Sequence, residues 1–325
     1  MGRKEQMTAL CQKEGMIRMK ECGKLFKRDR IYLLCTAVVV ILAFLYVMTG
    51  CCRSIEFAVM QGEGYDISQY RESADMLLRL WGDTDPGNLY KNGMKAVFFI
   101  VAAAQIARWH IMEGKHGKEF QKLLPVKGRS FVTYDLICGI LFVWLPVIIS
   151  RPLMNDWMKG LDYNADYSVW VSDRICSLFI VNTFVYVLLV FSKRIANHIP
   201  GAVFSAFIIW FGLYCIQAYT GKTVFFGEDL PPGSPGAIVL LTMTVICIIL
   251  SYLCDKRRDI SGSGLFSFKT AHYLILGIML AELATVFIGI FSSTAMGKAA
   301  GAVIGVLLSG AVAFGVHYVA KPGRA

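Results

Sequence analysis

Residues 32–50 read YLLCTAVVVILAFLYVMTG, an apolar run of 19 residues that contains no charged side chain. An α-helix rises about 1.5 Å per residue, so a run of this length crosses the hydrocarbon core of a bilayer, which is about 30 Å thick. The run lies too far from residue 1, and is too long, to be a cleaved signal peptide. It predicts a membrane-spanning helix that stays in the mature protein.

Seven further apolar blocks follow the first along the 325 residues. Hydrophobic residues make up 56% of the chain and charged residues 17%, whereas soluble domains are about half apolar and about a quarter charged. The sequence therefore predicts an all-α, polytopic integral membrane protein with about eight transmembrane helices between residues 32 and 319. The eight blocks are 32–50, 94–109, 131–150, 174–191, 202–218, 237–254, 272–291 and 298–319.

Lysine and arginine are concentrated in alternate connecting segments. Of the 33 basic residues, 23 lie in one set of segments and ten in the other. The basic set is 1–31, 108–130, 192–200, 255–270 and 320–325. This set should face the cytoplasm, and an even number of spans then places both termini there. Because topology accounts for the net charge of +10, we expect no nucleic-acid partner.

The two sides of the predicted membrane domain differ in character. In the tail 1–31, apolar residues alternate with nine basic ones, which predicts an amphipathic helix at the inner leaflet. The longest segment on the opposite side, 51–93, carries seven carboxylates and is predicted to be an acidic outer loop. The lipid bilayer is thus the first partner that the sequence implies.

The segment 108–130 is predicted to be a cytoplasmic loop with a short helix of its own. Phe120, Leu123 and Leu124 fall on one face of that helix and Lys122 on another, after Glu119 at its start. Pro125 ends it. A short charged helix between two spans is a natural docking site for a cytoplasmic partner. The alternative is an ordinary connecting loop.

The same segment resembles the first cytoplasmic loop of permease subunits from ABC transporters of the exporter (type-two) class. The similarity rests on Glu113-Gly114, on Leu123-Leu124-Pro125 and on Arg129-Ser130, which opens the next span. A second similarity follows the sixth block, where a basic run, an acidic residue, glycines and two phenylalanines occur between residues 252 and 268. The segment departs from that pattern at residues 259–261, which read Asp-Ile-Ser where a glutamate is expected.

The resemblance implies a permease of a bacterial cell membrane that works with a separate P-loop ATPase. Such a chain is not an enzyme and binds no cofactor, because the partner binds and hydrolyses ATP. The sequence agrees, since no GxxxxGK[ST] motif is present. The resemblance also implies a second permease unit, identical or homologous. The docking surface for the ATPase would be Glu119, Phe120, Lys122, Leu123 and Leu124.

Glu282 is the most informative polar residue inside a predicted span. A carboxylate in the middle of a span costs a few kcal/mol, so it should face the bundle interior or water. It is either functional or a neutral glutamate that is hydrogen-bonded to a neighbouring helix. The functional reading gives an alternative hypothesis, an ion-coupled secondary transporter in which Glu282 carries a proton.

The last predicted span carries Gly297, Gly301 and Gly305, which share one helix face and permit close helix packing. That face packs within one subunit or between two copies. No catalytic motif and no cysteine or histidine spacing typical of a metal site occurs. A third hypothesis, a membrane scaffold or sensor that transports nothing, would use the tail 1–31 and the 108–130 loop to hold a partner.

Overall fold

The computed structural model describes residues 3–62, 86–112, 128–160, 166–196, 198–220 and 233–257, and then 273–275, 277–279, 281–282, 303, 307 and 311. These residues are almost entirely α-helical. The helices are α1 (Arg3–Gly62), α2 (Pro86–Met112), α3 (Gly128–Gly160), α4 (Asp166–Ile195), α5 (Ile199–Thr220) and α6 (Pro235–Arg257).

Five stretches within these helices are long and apolar enough to cross a bilayer. They are Lys20–Ser54, Leu89–Ile111, Arg129–Ser150, Ser177–Ile195 and Pro235–Cys254. The prediction of a helical protein embedded in a membrane is confirmed. The predicted block 202–218 falls within α5, in which the shorter stretch Ile199–Leu213 is apolar. Most of the last two predicted blocks lies outside the described residues.

The first helices are longer than the apolar blocks that predicted them. α1 runs without a break from Arg3 to Gly62, so the basic tail and the first span form one helix. α2 begins at Pro86, ahead of its apolar block, and proline is favoured in a first turn because that turn needs no amide donor. Hydropathy predicts only the part of a helix that lies in the bilayer. The helix itself can extend beyond it, because its backbone hydrogen bonds also form outside the membrane.

Three consecutive residues, 233–235, determine where α6 starts. Gly233 has a φ of 85°, a left-handed conformation that glycine adopts without steric cost. The next residue, Ser234, caps the helix by accepting a hydrogen bond from the Ala237 amide at 3.3 Å. Pro235 then occupies the first helical position.

The chain divides into two compact units, Met1–Thr183 and Phe184–Ala325. In the first unit, α1, α2 and α3 pack against one another. At one end Arg108 of α2 contacts Asp29 of α1 and Asp135 of α3, and we call this the basic end. Elsewhere in the unit the Tyr90 and Ser150 hydroxyls are 2.6 Å apart. The helix from Tyr90 to Arg108 spans about 27 Å, close to the thickness of a hydrocarbon core.

Between the Arg108 cluster and the Tyr90–Ser150 contact, the surface of α1 and α3 is apolar and exposed. Ile31 and Leu34 are 68% and 67% exposed, which a soluble protein would not tolerate in a continuous band. This is the surface that lipid covers. Its other large members are Val38, Val39, Ile41, Leu42, Leu45 and Tyr46 on α1, and Ile137, Leu141, Trp144, Leu145, Ile148 and Ile149 on α3.

The second unit has its own apolar core. It is formed by buried residues from the end of α4, from α5 and from the 273–279 segment, with partly buried side chains around them. The buried members are Ile195, Ala196, Ala202, Ile208, Ile275 and Met279.

The close approach of α1 and α2 in the first unit depends on Gly93. A Cβ atom at position 93 would overlap Val47 Cγ1 and lie 3.1 Å from Val47 Cγ2. Valine is stiff about χ1, so it cannot swing away cheaply. We expect Gly93→Ala to destabilise the protein by about 1–3 kcal/mol, the usual cost of overpacking. The destabilisation is measured by heating the purified protein in mild detergent and following the fraction that stays monodisperse.

Two companion variants make that measurement specific. Gly23→Ala places a methyl group that, in the part of the chain the structure describes, contacts nothing within 4 Å beyond its own helical turn, so stability should not fall. Val47→Ala added to Gly93→Ala should restore most of the loss. Equal stability of Gly93→Ala and Gly23→Ala would show that the two helices are not so close.

Candidate functional site: a buried charge cluster at the basic end

Arg108 joins three helices through its guanidinium group. Nη1 donates to Asp29 Oδ2 at 3.0 Å and Nη2 donates to Asp135 Oδ1. Nε donates to Gln105 Oε1, also at 3.0 Å, one turn earlier on the same helix. Arg108, Asp29 and Asp135 are all at least 97% buried, so both ion pairs are shielded from water.

Two aromatic side chains hold the carboxylates in place. Trp109 donates its indole N–H to Asp135 Oδ1 at 3.1 Å. Tyr134 donates its hydroxyl to Asp29 Oδ2 at 2.9 Å. The Tyr134 ring also faces the Arg108 guanidinium. The distance from the ring centre to Arg108 Cζ is 4.8 Å, which is within the range of a cation–π interaction. Each carboxylate therefore receives a neutral donor as well as the arginine.

A second arginine extends the cluster along α1. Arg28 donates from Nε to Asp29 Oδ1 at 2.5 Å and from Nη2 to Oδ2 at 3.0 Å. Its guanidinium carbon also lies 6.0 Å from the centre of the Phe131 ring. With Arg28 included, two positive charges match the two negative charges of Asp29 and Asp135. The ionised cluster is neutral overall, which suits a site at the edge of a bilayer.

The helical repeat brings these residues together on α1 and α3. Cys22, Leu25 and Asp29 recur at three- and four-residue spacing, so they share one face of α1. On α3, Tyr134 and Cys138 form the matching face. Cys22, Leu25, Tyr134 and Cys138 make a buried apolar cluster beside the charges, and the Phe26 and Tyr134 rings meet edge to face at 5.0 Å. The apolar contacts hold the charged groups in register.

A further contact lies nearer the start of α3. Ser130 donates its hydroxyl to Glu21 Oε2 at 2.5 Å, and the Cys22 thiol lies 3.6 Å from the Ser130 carbonyl oxygen. Ser130 is fully buried although it stands two residues from the beginning of α3. The first turn of α3 is thus fastened to α1.

The cluster lies beside the two helix ends that flank the predicted docking segment. α2 ends at Met112, just after Arg108 and Trp109, and α3 begins at Gly128, just before Ser130. Residues 113–127, between them, lie outside the described residues. A force applied to that segment would reach α2 and α3 at the point where both are ion-paired or hydrogen-bonded to α1.

The predicted site residues fall into two groups. Glu282 is described, and it is buried in the second unit. The others lie outside the described residues. They are the docking residues Glu119, Phe120, Lys122, Leu123 and Leu124, and the glycines Gly297, Gly301 and Gly305. In the part of the chain that is described, no three metal-binding side chains converge.

The charge cluster itself was missed by sequence reasoning. Asp29 and Arg108 lie in the segments 1–31 and 108–130, which the sequence predicts to face the cytoplasm, and the structure buries both side chains. Asp135 gave the one available signal, because it stands five residues inside the apolar block 131–150. A carboxylate at that depth needs a partner, and the nearest opposite charge at the matching end of a neighbouring span is Arg108.

No protein-family model matches this chain, and no curated protein or solved structure matches it.

The arginine should contribute strongly to stability. Arg108→Met leaves two buried carboxylates without their shared cation, and breaking a buried pair costs about 3–5 kcal/mol. Arg30→Met is the matched control, since Arg30 lies next to the cluster in sequence but is exposed. It should change stability by less than about 0.5 kcal/mol. Chemical denaturation in detergent micelles measures both variants.

Neutralising the acid that loses its arginine tests whether the buried charge causes the loss of stability. Asp29 keeps Arg28 in Arg108→Met, so adding Asp135→Asn alone should return part of the lost stability. If the Arg108 and Arg30 variants unfold alike, the guanidinium does not hold the three helices together.

Proposed function

We propose that this chain is the membrane-spanning permease subunit of an ATP-driven ABC exporter in a bacterial plasma membrane. It has eight spans, with both termini in the cytoplasm, and it works with a separate P-loop ATPase. A second permease unit, either identical or homologous, completes the pathway. The chain performs no covalent chemistry, and ATP belongs to the partner.

The distribution of charge supports this orientation. The basic segments 1–31 and 108–130 adjoin the same end of the first unit, where Asp29, Arg108 and Asp135 meet. An excess of lysine and arginine marks the cytoplasmic side of a membrane protein. The docking segment then faces the compartment that holds ATP.

The observation that carries the proposal is the mechanical connection of segment 113–127. One end of the segment follows Arg108 and Trp109, and the other leads into Ser130 and Asp135. Because the helix ends on either side of the segment are joined to each other and to α1, a push that a docked ATPase delivers to those ends passes to all three helices.

The driven step is then a rigid-body motion at the basic end. Because Arg108 ties α2 to α1 and to α3, these ends move together when the partner closes around ATP. Tilting them changes the access of a pathway between helices. The apolar and aromatic composition of the spans suits a lipid or hydrophobic peptide as substrate.

Recovery of the partner tests the proposal. The tagged full-length protein is extracted from its native membrane in mild detergent, and co-purifying proteins are identified by mass spectrometry. We expect a P-loop ATPase with the native chain. The double variant Phe120→Asp, Leu123→Asp should lose it, because two carboxylates would replace the apolar face of the docking helix.

A matched variant controls for general damage. Phe225→Asp, Phe226→Asp makes the same chemical change in segment 219–236, on the predicted outer side, and should keep the ATPase. The proposal fails if the native chain is recovered without an ATPase from a preparation that keeps a known transporter intact. Recovery of one soluble partner that lacks a P-loop would favour the scaffold hypothesis instead.

A further inference from the structure

Glu282 lies in a helix–helix seam of the second unit, where α5 meets the 273–282 segment. Its side chain is 95% buried. The facing residue on α5 is Gly212, and a Cβ atom there would overlap Glu282 Oε1. The same Cβ would lie 3.4 Å from Ile278, one turn away from Glu282. Gly212 thus leaves the space that the carboxyl group occupies.

The described residues of the adjoining core are apolar. Ile275, Met279 and Glu282 recur at four- and three-residue spacing and so share one face of the segment. Ile275 and Met279 pack into the apolar core of the second unit with Ala202 and Ile208 of α5. The carboxyl group continues a row of hydrophobic side chains.

Among the residues that the structure describes, none donates a hydrogen bond to Glu282 Oε1 and none forms an ion pair with Glu282. α5 contains no Asp, Glu, Lys, Arg or His, and its titratable residues are Tyr214, Cys215 and Tyr219. Among the described residues, the other titratable groups near the same core are Tyr273 at the start of the segment, Cys254 on α6, His198 just before α5, and Lys193 and Arg194 beside Ile195 at the end of α4.

An ionised carboxylate in such a seam is costly. Moving a charge into apolar surroundings without a partner costs so much that the group normally takes up a proton instead. The contrast with Asp29 and Asp135 is direct, because an arginine and a neutral donor satisfy each of those. The state that fits the closed seam is the protonated acid.

We propose that Glu282 is a reversible proton-binding site, occupied when the seam between α5 and the 273–282 segment is closed. Loss of the proton leaves a carboxylate that needs water or a cation, so the seam must open to supply one. Low pH therefore favours the closed seam and high pH the open one. The proposal does not depend on the ATPase, because it concerns only the second unit.

Labelling with a hydrophobic carbodiimide tests the site in native membrane vesicles. Dicyclohexylcarbodiimide enters the bilayer and reacts with protonated carboxyl groups, and the adduct on the peptide containing residue 282 is quantified by mass spectrometry. We expect labelling at mildly acidic pH that falls about ten-fold per pH unit above its midpoint. A water-soluble carbodiimide should not label the site. The reagent's own decay is corrected with a reference carboxyl in the same vesicles.

Two pairs of variants make the result specific. Glu282→Gln should abolish the adduct, whereas Glu56→Gln, a partly exposed acid at the far end of α1, should leave it unchanged. Gly212→Ala pushes the carboxyl group out of the seam, so labelling should disappear at a lower pH than in the native chain. Gly277→Ala is the control, because among the described residues no atom beyond the glycine's own chain neighbours and helical backbone lies within 4 Å of the added methyl group.

Two results would overturn the proposal. Labelling that stays constant from acidic to strongly alkaline pH would mean a permanently neutral, structural glutamate. Absence of labelling at every pH, with the reference carboxyl modified, would mean that Glu282 never presents a protonated carboxyl to the bilayer. Neither result would bear on recovery of an ATPase partner, so the two proposals fail independently.

Discussion

Arg108 must place its charge at the edge of a bilayer, and it does so by sharing one guanidinium between Asp29 and Asp135. Neither carboxylate could be buried there alone, because the desolvation cost of each is several kcal/mol. Each of α1, α2 and α3 contributes one of the three charges, so none of these helices can shift at this end without exposing a charge. Exposed apolar side chains cover the lipid-facing surface, but they are compatible with many arrangements of the three helices. The ion pairs of Arg108 favour a single arrangement.

Two ways of burying an acid occur in this protein. Asp29 and Asp135 are matched by arginines and by the neutral donors Tyr134 and Trp109, which gives a fixed joint. Glu282 faces a glycine and hydrophobic side chains, which gives a group whose charge depends on its surroundings. The first arrangement suits carboxylates that stay ionised, whereas the second favours the protonated acid.

Much of the architecture could be read from hydropathy. A stretch of about 20 apolar residues has few fates other than a membrane-spanning helix, because an unpaired backbone amide in lipid is prohibitively costly. Five predicted spans are confirmed on that basis. Helix ends were less predictable: α1 extends to Gly62 and α2 starts at Pro86, since helical hydrogen bonding continues into water after the apolar run ends.

The sequence by itself determined the helical class, the membrane environment and the presence of acids at Asp135 and Glu282 that require explanation. Each of these follows from the composition of a single segment and needs no knowledge of its neighbours in the fold. Only the tertiary structure decided that Asp29, Arg108 and Asp135, together with Arg28, form one neutral cluster, and that Gly212 faces Glu282. Those pairings join residues as many as 79 positions apart, as in Asp29 and Arg108. Hydropathy assigns each helix to the bilayer without specifying which face meets which neighbour, and the partner of a buried charge depends on that choice.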